Sequence, residues 1–162
     1  MAEPIVEQIA SWMETALASI TEANGYQQDL AVVRPEDPWD EATAVGDLTT
    51  ILGQDDPERL DPRSTAGIRW RQPFLIVTFF AGRGGTGLSL DTRLNRVRAD
   101  IEKRLGVELA KGHGPNKLCS SLADDMEILP PTVGVDPDAK LTVLLCAVAV
   151  TYRVSATDPY SQ

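Results

Sequence analysis

The chain has 162 residues, of which 24 are Asp or Glu and 15 are Lys or Arg, so its net charge at pH 7 is −9. An acidic chain of this size repels phosphate, which argues against tight or sequence-specific nucleic-acid binding. No stretch approaches the ~18 apolar residues of a membrane span, and the two cysteines lie outside any Cys-x-x-Cys pair. We therefore expect residues 1–162 to form a single domain in a reducing cytoplasm.

The first half of the chain begins with a predicted helix and a short predicted strand. Apolar residues recur at steps of three and four over residues 4–24, which predicts an amphipathic helix that ends at Asn24-Gly25. Residues 30–34 predict a short strand. Residues 35–73 contain five prolines and several acidic clusters. We expect one or two extended, partly mobile surface loops there, with only residues 45–52 capable of forming a strand.

The second half is richer in strand signals. Residues 74–80, "FLIVTFF", predict a strand. Residues 89–105 predict a second helix, which Ser89 caps and Gly106 ends. Residues 117–123 and 126–129 predict weaker strands, whereas Pro130-Pro131 and "VDPDAK" predict turns. Residues 140–154 predict the last and longest strand.

These elements indicate an α+β (mixed α/β) fold with a single sheet of four to six largely antiparallel strands and two main helices packed on it. Both faces of the last strand are apolar, as are both faces of "FLIVTFF". A sheet with one wet face would alternate, so both faces must be covered. Either the two helices cover one face each, or the long loops cover one face, or a second subunit does so.

Three sequence patterns resemble ligand-binding or catalytic sites, but the residues around them do not match such sites. Residues 82–87, "GRGGTG", match G-x-G-x-x-G, and Glu108 follows at about the distance of a ribose contact. However, Ser89 starts a new cap after the last glycine, Asp91 brings negative charge to the phosphate end, and no further helix follows Glu108. His113 is expected to lie exposed in a loop, and the acidic clusters lack the spacing of a calcium loop. The sequence therefore predicts no catalytic, cofactor-binding or metal-binding residue.

Aromatic residues beside the loops and at the C-terminus are candidate partner contacts. Trp39 and Trp70 lie in or beside the proline-rich region, where each either anchors a partner or holds a loop onto its own domain. In the polar tail, Pro159 stiffens the chain. Tyr160 either inserts its ring into a neighbour or folds back onto its own subunit.

The order of the elements and the ending of the chain carry a resemblance. An amphipathic helix ends at Gly25-Tyr26, and "LAVVR", a variable loop region, "FLIVTFF" and a helix containing "RVRADIEKRLG" follow. A weak hairpin then leads to a long strand that runs through Tyr152-Arg153 towards Asp158-Pro159-Tyr160. In these features the chain resembles the tail terminator proteins of long-tailed bacteriophages, the group similar to minor tail protein U.

The resemblance implies a structural protein of the virion tail without enzyme activity or cofactor. It implies a hexameric ring at the head-proximal end of the tail tube, which stops tube polymerisation and presents a surface to the head connector. The expected partners are further copies of the chain, the tail tube protein and the head–tail connector protein, and assembly would occur in the host cytoplasm. We expect assembly contacts at Trp39, Trp70, Arg153, Asp158, Pro159 and Tyr160.

Two alternatives remain at this point. One is that the chain is another head–tail connector or neck ring protein, which shares these partners but not the position in the tail. The other is that it is a small nucleotide-binding enzyme that uses residues 82–87. A thermal-shift screen with dinucleotides would separate it from the others, because a ligand at a hundred times its Kd stabilises a protein by ~2.7 kcal/mol.

Overall fold

Two long antiparallel strands form the centre of the fold. The computed structural model describes residues 3–34, 48–60, 67–81, 87–136 and 141–161. In chain order, the elements are α1 (Ile5–Ala18), a short 3-10 turn (Glu22–Asn24), β1 (Val32–Val33), β2 (Leu48–Gln54), β3 (Glu58–Arg59), β4 (Ile68–Ala81), α2 (Leu90–Leu109), β5 (Asp125–Ile128), β6 (Thr132–Asp136) and β7 (Leu141–Val154).

The described strands form one mixed sheet of seven strands in the order β1-β2-β4-β7-β5, with β3 beside β4 and β6 beside β7. Strands β4 and β7 are antiparallel and pair along their whole length, from Ile68 opposite Val154 to Ala81 opposite Leu141. Strand β2 is antiparallel to β4, and β1 is parallel to β2. The predicted single, largely antiparallel sheet is therefore confirmed, and the predicted count of four to six strands is wrong.

Strands β5 and β6 follow one another along the same edge of β7. Ile128 lies opposite Val148, and Thr132 lies opposite Leu145. Between these pairs the edge segment advances one residue more than β7, which is a β-bulge, and Pro130-Pro131 lie at this point. Because of the bulge, β5 and β6 can pair one after the other with the same edge of β7, which is fourteen residues long.

The helices differ from the prediction at their C-terminal ends. Helix α1 ends at Ala18, and Thr21 is extended before the 3-10 turn that Gly25 closes at φ +82°. In α2, the Ser89 hydroxyl accepts a hydrogen bond from Thr92 N–H, which confirms the predicted cap. Gly106 does not end α2, which continues to Leu109. None of the described helices has the length and apolar character needed to cross a bilayer.

Several segments expected to be loops or turns take part in the sheet. Within the predicted loop region 35–73, β2 overlaps residues 45–52, which were expected to be capable of forming a strand, whereas β3 and the first residues of β4 were not expected. Residues 35–47 and 61–66 lie outside the described residues. The start of "VDPDAK" belongs to β6, and the weak strand predicted at 117–123 is a single bridge between Leu118 and Ala123. The long edges of β4 and β7 supply backbone partners that these short segments use. The single-domain organisation stays a prediction.

Both helices pack on the same face of the sheet, so they do not cover one face each. Ile9 and Leu17 of α1 and Ile101 and Leu105 of α2 share one core with the even-numbered residues of β4 and β7. We call this the covered face. Its strand residues include Phe74, Ile76, Leu144, Cys146, Val148 and Val150, each at most 4% exposed.

Candidate assembly surfaces

The opposite face of the sheet, formed by the odd-numbered residues of β2, β4 and β7, is also apolar at its centre. We call it the outer face. Ile51, Val77 and Phe79 are at most 8% exposed and form a second apolar cluster. Leu75, Val143 and Leu145 pack against that cluster and are only partly buried. No described helix contributes to this cluster. The outer face therefore presents apolar side chains of two adjacent strands, β4 and β7, that remain partly accessible.

One end of the outer face carries charged side chains in place of apolar ones. Arg71 donates to Glu127 at 2.8 Å, and Glu58 lies at 4.0 Å on its other side. Arg153 Nε donates to Asp124 Oδ2 at 2.6 Å, although the Asp124 side chain is only 5% exposed. The other Asp124 oxygen accepts Asn116 N–H at 3.2 Å. A charged contact at the outer face is thus built on one nearly buried carboxylate.

The loop between α2 and β5 contains an uncommon backbone conformation. Cys119, Ser120 and Ser121 have φ values of 51°, 60° and 72°, so three consecutive non-glycine residues are left-handed. Each such residue costs of order 1 kcal/mol. The buried Glu108 carboxylate accepts Cys119 N–H at 2.8 Å and pairs with Lys111 at 2.7 Å. Glu108 therefore anchors this loop and is not exposed for a ribose contact.

The C-terminal tail turns back onto the start of the chain. Pro159 carbonyl accepts Ile5 N–H at 3.2 Å, at the N-terminus of α1, where no side chain provides a cap. Asp158 Oδ1 accepts Tyr160 N–H at 3.0 Å. The Tyr160 side chain nevertheless stays 48% exposed. The backbone of the tail is fixed by its own subunit, while the aromatic ring remains accessible.

A polar cleft of about 550 Å³ lies between the segment after α1, the start of β2 and the first turns of α2. Its walls are held by hydrogen bonds: Gln27 N–H donates to Asp100 at 2.9 Å, and the Gln28 amide donates to the Arg93 carbonyl at 3.2 Å. The lining residues are Glu22, Gln27, Gln28, Asp29, Leu48, Leu88, Arg93 and Arg96. No local sequence pattern predicts this cleft, because its walls are far apart along the chain.

The residues predicted as assembly contacts do not come together in one place. Trp39 lies outside the described residues. Trp70 stands on the covered face opposite Tyr152, partly buried against the main core. Arg153 lies on the outer face, whereas the turn at residues 158–160 lies beside α1. Their role in assembly stays a prediction.

The glycine-rich segment and His113, which were considered as possible nucleotide-binding or catalytic residues, do not form such a site among the described residues. Residues 82–86 of the glycine-rich segment lie outside the described residues, and Gly87 is left-handed at φ +68° ahead of the Ser89 cap. The His113 imidazole contacts Asp125 at 2.5 Å on an exposed surface. Among the described residues, no three His, Cys, Asp or Glu side chains are grouped to hold a metal ion.

Both cysteines lie in apolar surroundings. Burial raises the pKa of Cys119 to about 12 and that of Cys146 to about 11. Burial also raises the pKa of the Tyr152 hydroxyl. Thiolate is the reactive form of cysteine, so at neutral pH both side chains are unreactive core residues.

Comparisons with known proteins find similarity among solved structures but none among family models or curated proteins. No protein-family model matches the chain. No curated protein matches it either. Among solved structures, the chain is similar to one described as "Virion of native gene transfer agent (GTA) particle", with 10% sequence identity and a TM-score of 0.38 over 93% of this chain and 92% of that chain.

Proposed function

We propose that this protein is a structural subunit of a virion tail, and that it acts as a tail terminator. In this role it forms a ring, of six copies as the resemblance implies, that caps the tail tube, stops its polymerisation and provides the head-joining surface. The observation that supports the proposal is the outer face: both helices lie on one side of the sheet, and Leu75, Val143 and Leu145 remain partly accessible on the other. Apolar patches of this kind mark contacts between proteins.

The charge of the chain fits a ring through which DNA passes. An acidic lumen would not retain DNA, and a net charge of −9 per subunit supports such a lumen. The closed ring also requires heterologous contacts, in which one patch of a subunit meets a different patch of the next. The outer face, the Tyr160 turn and the exposed valines of β6 are distinct patches of this kind: Val133 is 52% and Val135 is 70% exposed.

The test is assembly on tube ends. The purified chain is mixed with its tail tube protein during polymerisation, and particles are imaged by electron microscopy and weighed by mass photometry. We expect rings at one tube end and tubes of limited length. The matched variants are Leu145→Asp on the outer face, which should prevent ring formation, and Glu127→Gln at its exposed charged end, which should not.

Two results would change the proposal. A stable two-fold dimer at every concentration, without rings on tubes, would contradict it. Binding to the connector protein but not to the tube would favour the second candidate, a neck ring protein. Both outcomes are read from the same samples when the connector protein is added in a parallel mixture.

A further inference from the structure

Two charged surfaces lie at opposite ends of strand β2. The polar cleft adjoins Leu48 at its start. At its end, residues 55–57 connect β2 to β3, and we call residues 54–59, "QDDPER", the acidic turn. Seven strand residues span about 20 Å. The cleft and the acidic turn of one chain are therefore too far apart to meet each other.

The cleft presents charges of both signs. Arg96 lies on the α2 wall and forms no ion pair within the described part of the chain. The facing wall carries Glu22 and Asp29, and Asp29 Oδ1 already accepts Glu22 N–H at 2.6 Å. Arg93 is 4% exposed and its guanidinium lies 5.5 Å from the centre of the Phe80 ring. The walls are thus fixed, while Arg96 and Glu22 keep their charges available.

The acidic turn is rigid and carries the complementary pattern. Asp55 N–H donates to the Pro73 carbonyl at 3.1 Å, and the Gln72 amide donates to the Asp55 carbonyl at 2.6 Å. Asp56 N–H donates to Asp55 Oδ1 at 2.8 Å, and Pro57 follows. Asp55, Asp56 and Arg59 are exposed, and none of the three forms an ion pair with another described residue. Three negative charges, those of Asp55, Asp56 and Glu58, are followed by the positive charge of Arg59.

We propose that the cleft of one subunit receives the acidic turn of a second copy of this chain. Asp55 and Asp56 then face Arg96, and Arg59 faces Glu22. Complementary charges of this kind fix the register of a contact and select the partner. The contact joins two different patches of the subunit, which is the heterologous kind of contact that repeats from copy to copy in a ring. This inference rests on the proposed ring and names one of its contacts.

Charge reversal tests the contact. The variants are Arg96→Glu, the pair Asp55→Lys with Asp56→Lys, and the chain that carries all three changes. Self-association of the chain alone is measured by sedimentation across a concentration series at low and high salt. Arg96→Glu alone, and the two Asp→Lys changes alone, should each raise the concentration for half-association about tenfold or more. The chain with all three changes should associate at a concentration close to that of the wild type. Wild-type association should weaken with salt.

A matched pair separates a specific contact from general charge effects. Arg96→Ala should weaken association, whereas Arg98→Ala, on the same helix and paired with Glu102 at 2.7 Å, should not. A second measurement is direct. Gln28→Cys with Asp56→Cys places one thiol at each surface, and oxidation should give a ladder of trimers and larger species. The two native cysteines are buried and contribute little to it.

The outcomes that overturn the inference are distinct from those that overturn the ring. If wild-type rings form on tubes but Arg96→Glu leaves self-association unchanged, the inference is wrong and the ring stands. If Arg96→Glu blocks only binding to the tube protein, the cleft serves that partner and the inference is wrong. If the wild-type chain shows no self-association alone or on tubes, both are wrong.

Discussion

The covered face and the outer face of the sheet use the same strands in different ways. On the covered face, two helices close over side chains such as Phe74, Ile76 and Val148, which are fully buried. On the outer face, a small apolar cluster lies beside half-buried Leu145, and ion pairs around Arg71 and Asp124 lie further along the strands. The first arrangement stabilises the subunit. The second leaves accessible apolar surface on the same sheet, so alternate residues of one strand form the core and the accessible surface.

An Asp placed on each face of β7 tests whether the two faces differ in their contribution to stability. Val148→Asp buries an uncompensated carboxylate beneath the helices, which costs about 4 kcal/mol or more and should unfold the chain. Leu145→Asp lies three residues away on the partly accessible face and should cost about 1 kcal/mol. Urea unfolding followed by circular dichroism measures both. Equal losses would mean that the outer face is as much core as the covered one.

The charged end of the outer face gives the next largest effect. Asp124→Asn removes the charge that Arg153 contacts at 2.6 Å, and the loss of a buried charged hydrogen bond costs about 2 kcal/mol. Glu127→Gln removes an exposed partner of Arg71 and should cost less than about 1 kcal/mol. Chemical denaturation of the two variants is the measurement. If Glu127→Gln lowers stability more than Asp124→Asn does, the exposure of an ion pair does not predict its contribution to stability here.

Alkaline pH tests how well the covered face is sealed. Folding raises the pKa of Cys119 to about 12 and that of Cys146 to about 11, above the ordinary value of 9.0. The folded state therefore binds more protons, so stability is complete below pH 9 and falls as pH rises towards 11 to 12. At pH 10 the loss is about 1 kcal/mol per thiol.

The matched variant for this titration is Cys146→Ala. It should lower stability at neutral pH because it leaves a cavity, yet flatten the decline between pH 9 and 11. Unfolding curves at several pH values measure the slope. A wild-type slope of zero over this range, or rapid labelling of the native thiols, would show that water reaches the covered face.

How much of this architecture the sequence predicts depends on whether the signal is local. The Ser89 cap and the long apolar strands are local, and they were predicted. Strands β3 and β6 were missed, because they form on backbone edges that β4 and β7 supply from elsewhere in the chain. The apolar pattern indicated that both faces are covered, but it contains no information on which side the two connections place their helices.

The candidate surfaces divide in the same way. Tyr160 is recognisable as an aromatic in a polar tail, but the contact of the Pro159 carbonyl with α1 depends on the three-dimensional path of the chain. In the sequence, Glu108 lies at the distance from residues 82–87 that a ribose contact would have. In the structure, Glu108 is buried and accepts a hydrogen bond from Cys119 N–H. The cleft unites Glu22, Leu48 and Arg96, which no sequence pattern connects.

The smallest predicted effects concern the tail. Deletion of residues 156–162 removes the hydrogen bond between Ile5 and Pro159 and should cost about 1 kcal/mol, seen as a small decrease in Tm. Tyr160→Ser keeps the backbone contact, so its Tm should match the wild type while ring formation on tubes weakens. If both variants complete tails normally, the tail has no role in assembly.

The hydrogen bond between residues 5 and 159 also brings the two ends of the described chain to the same point on the surface. A short linker is enough to join such ends, and circular permutants are well tolerated when termini are adjacent. A density label fused near either end would mark one position on each subunit. In images of an assembled particle, such labels would lie on a single circle, whose radius and number of marks give the subunit count and orientation directly.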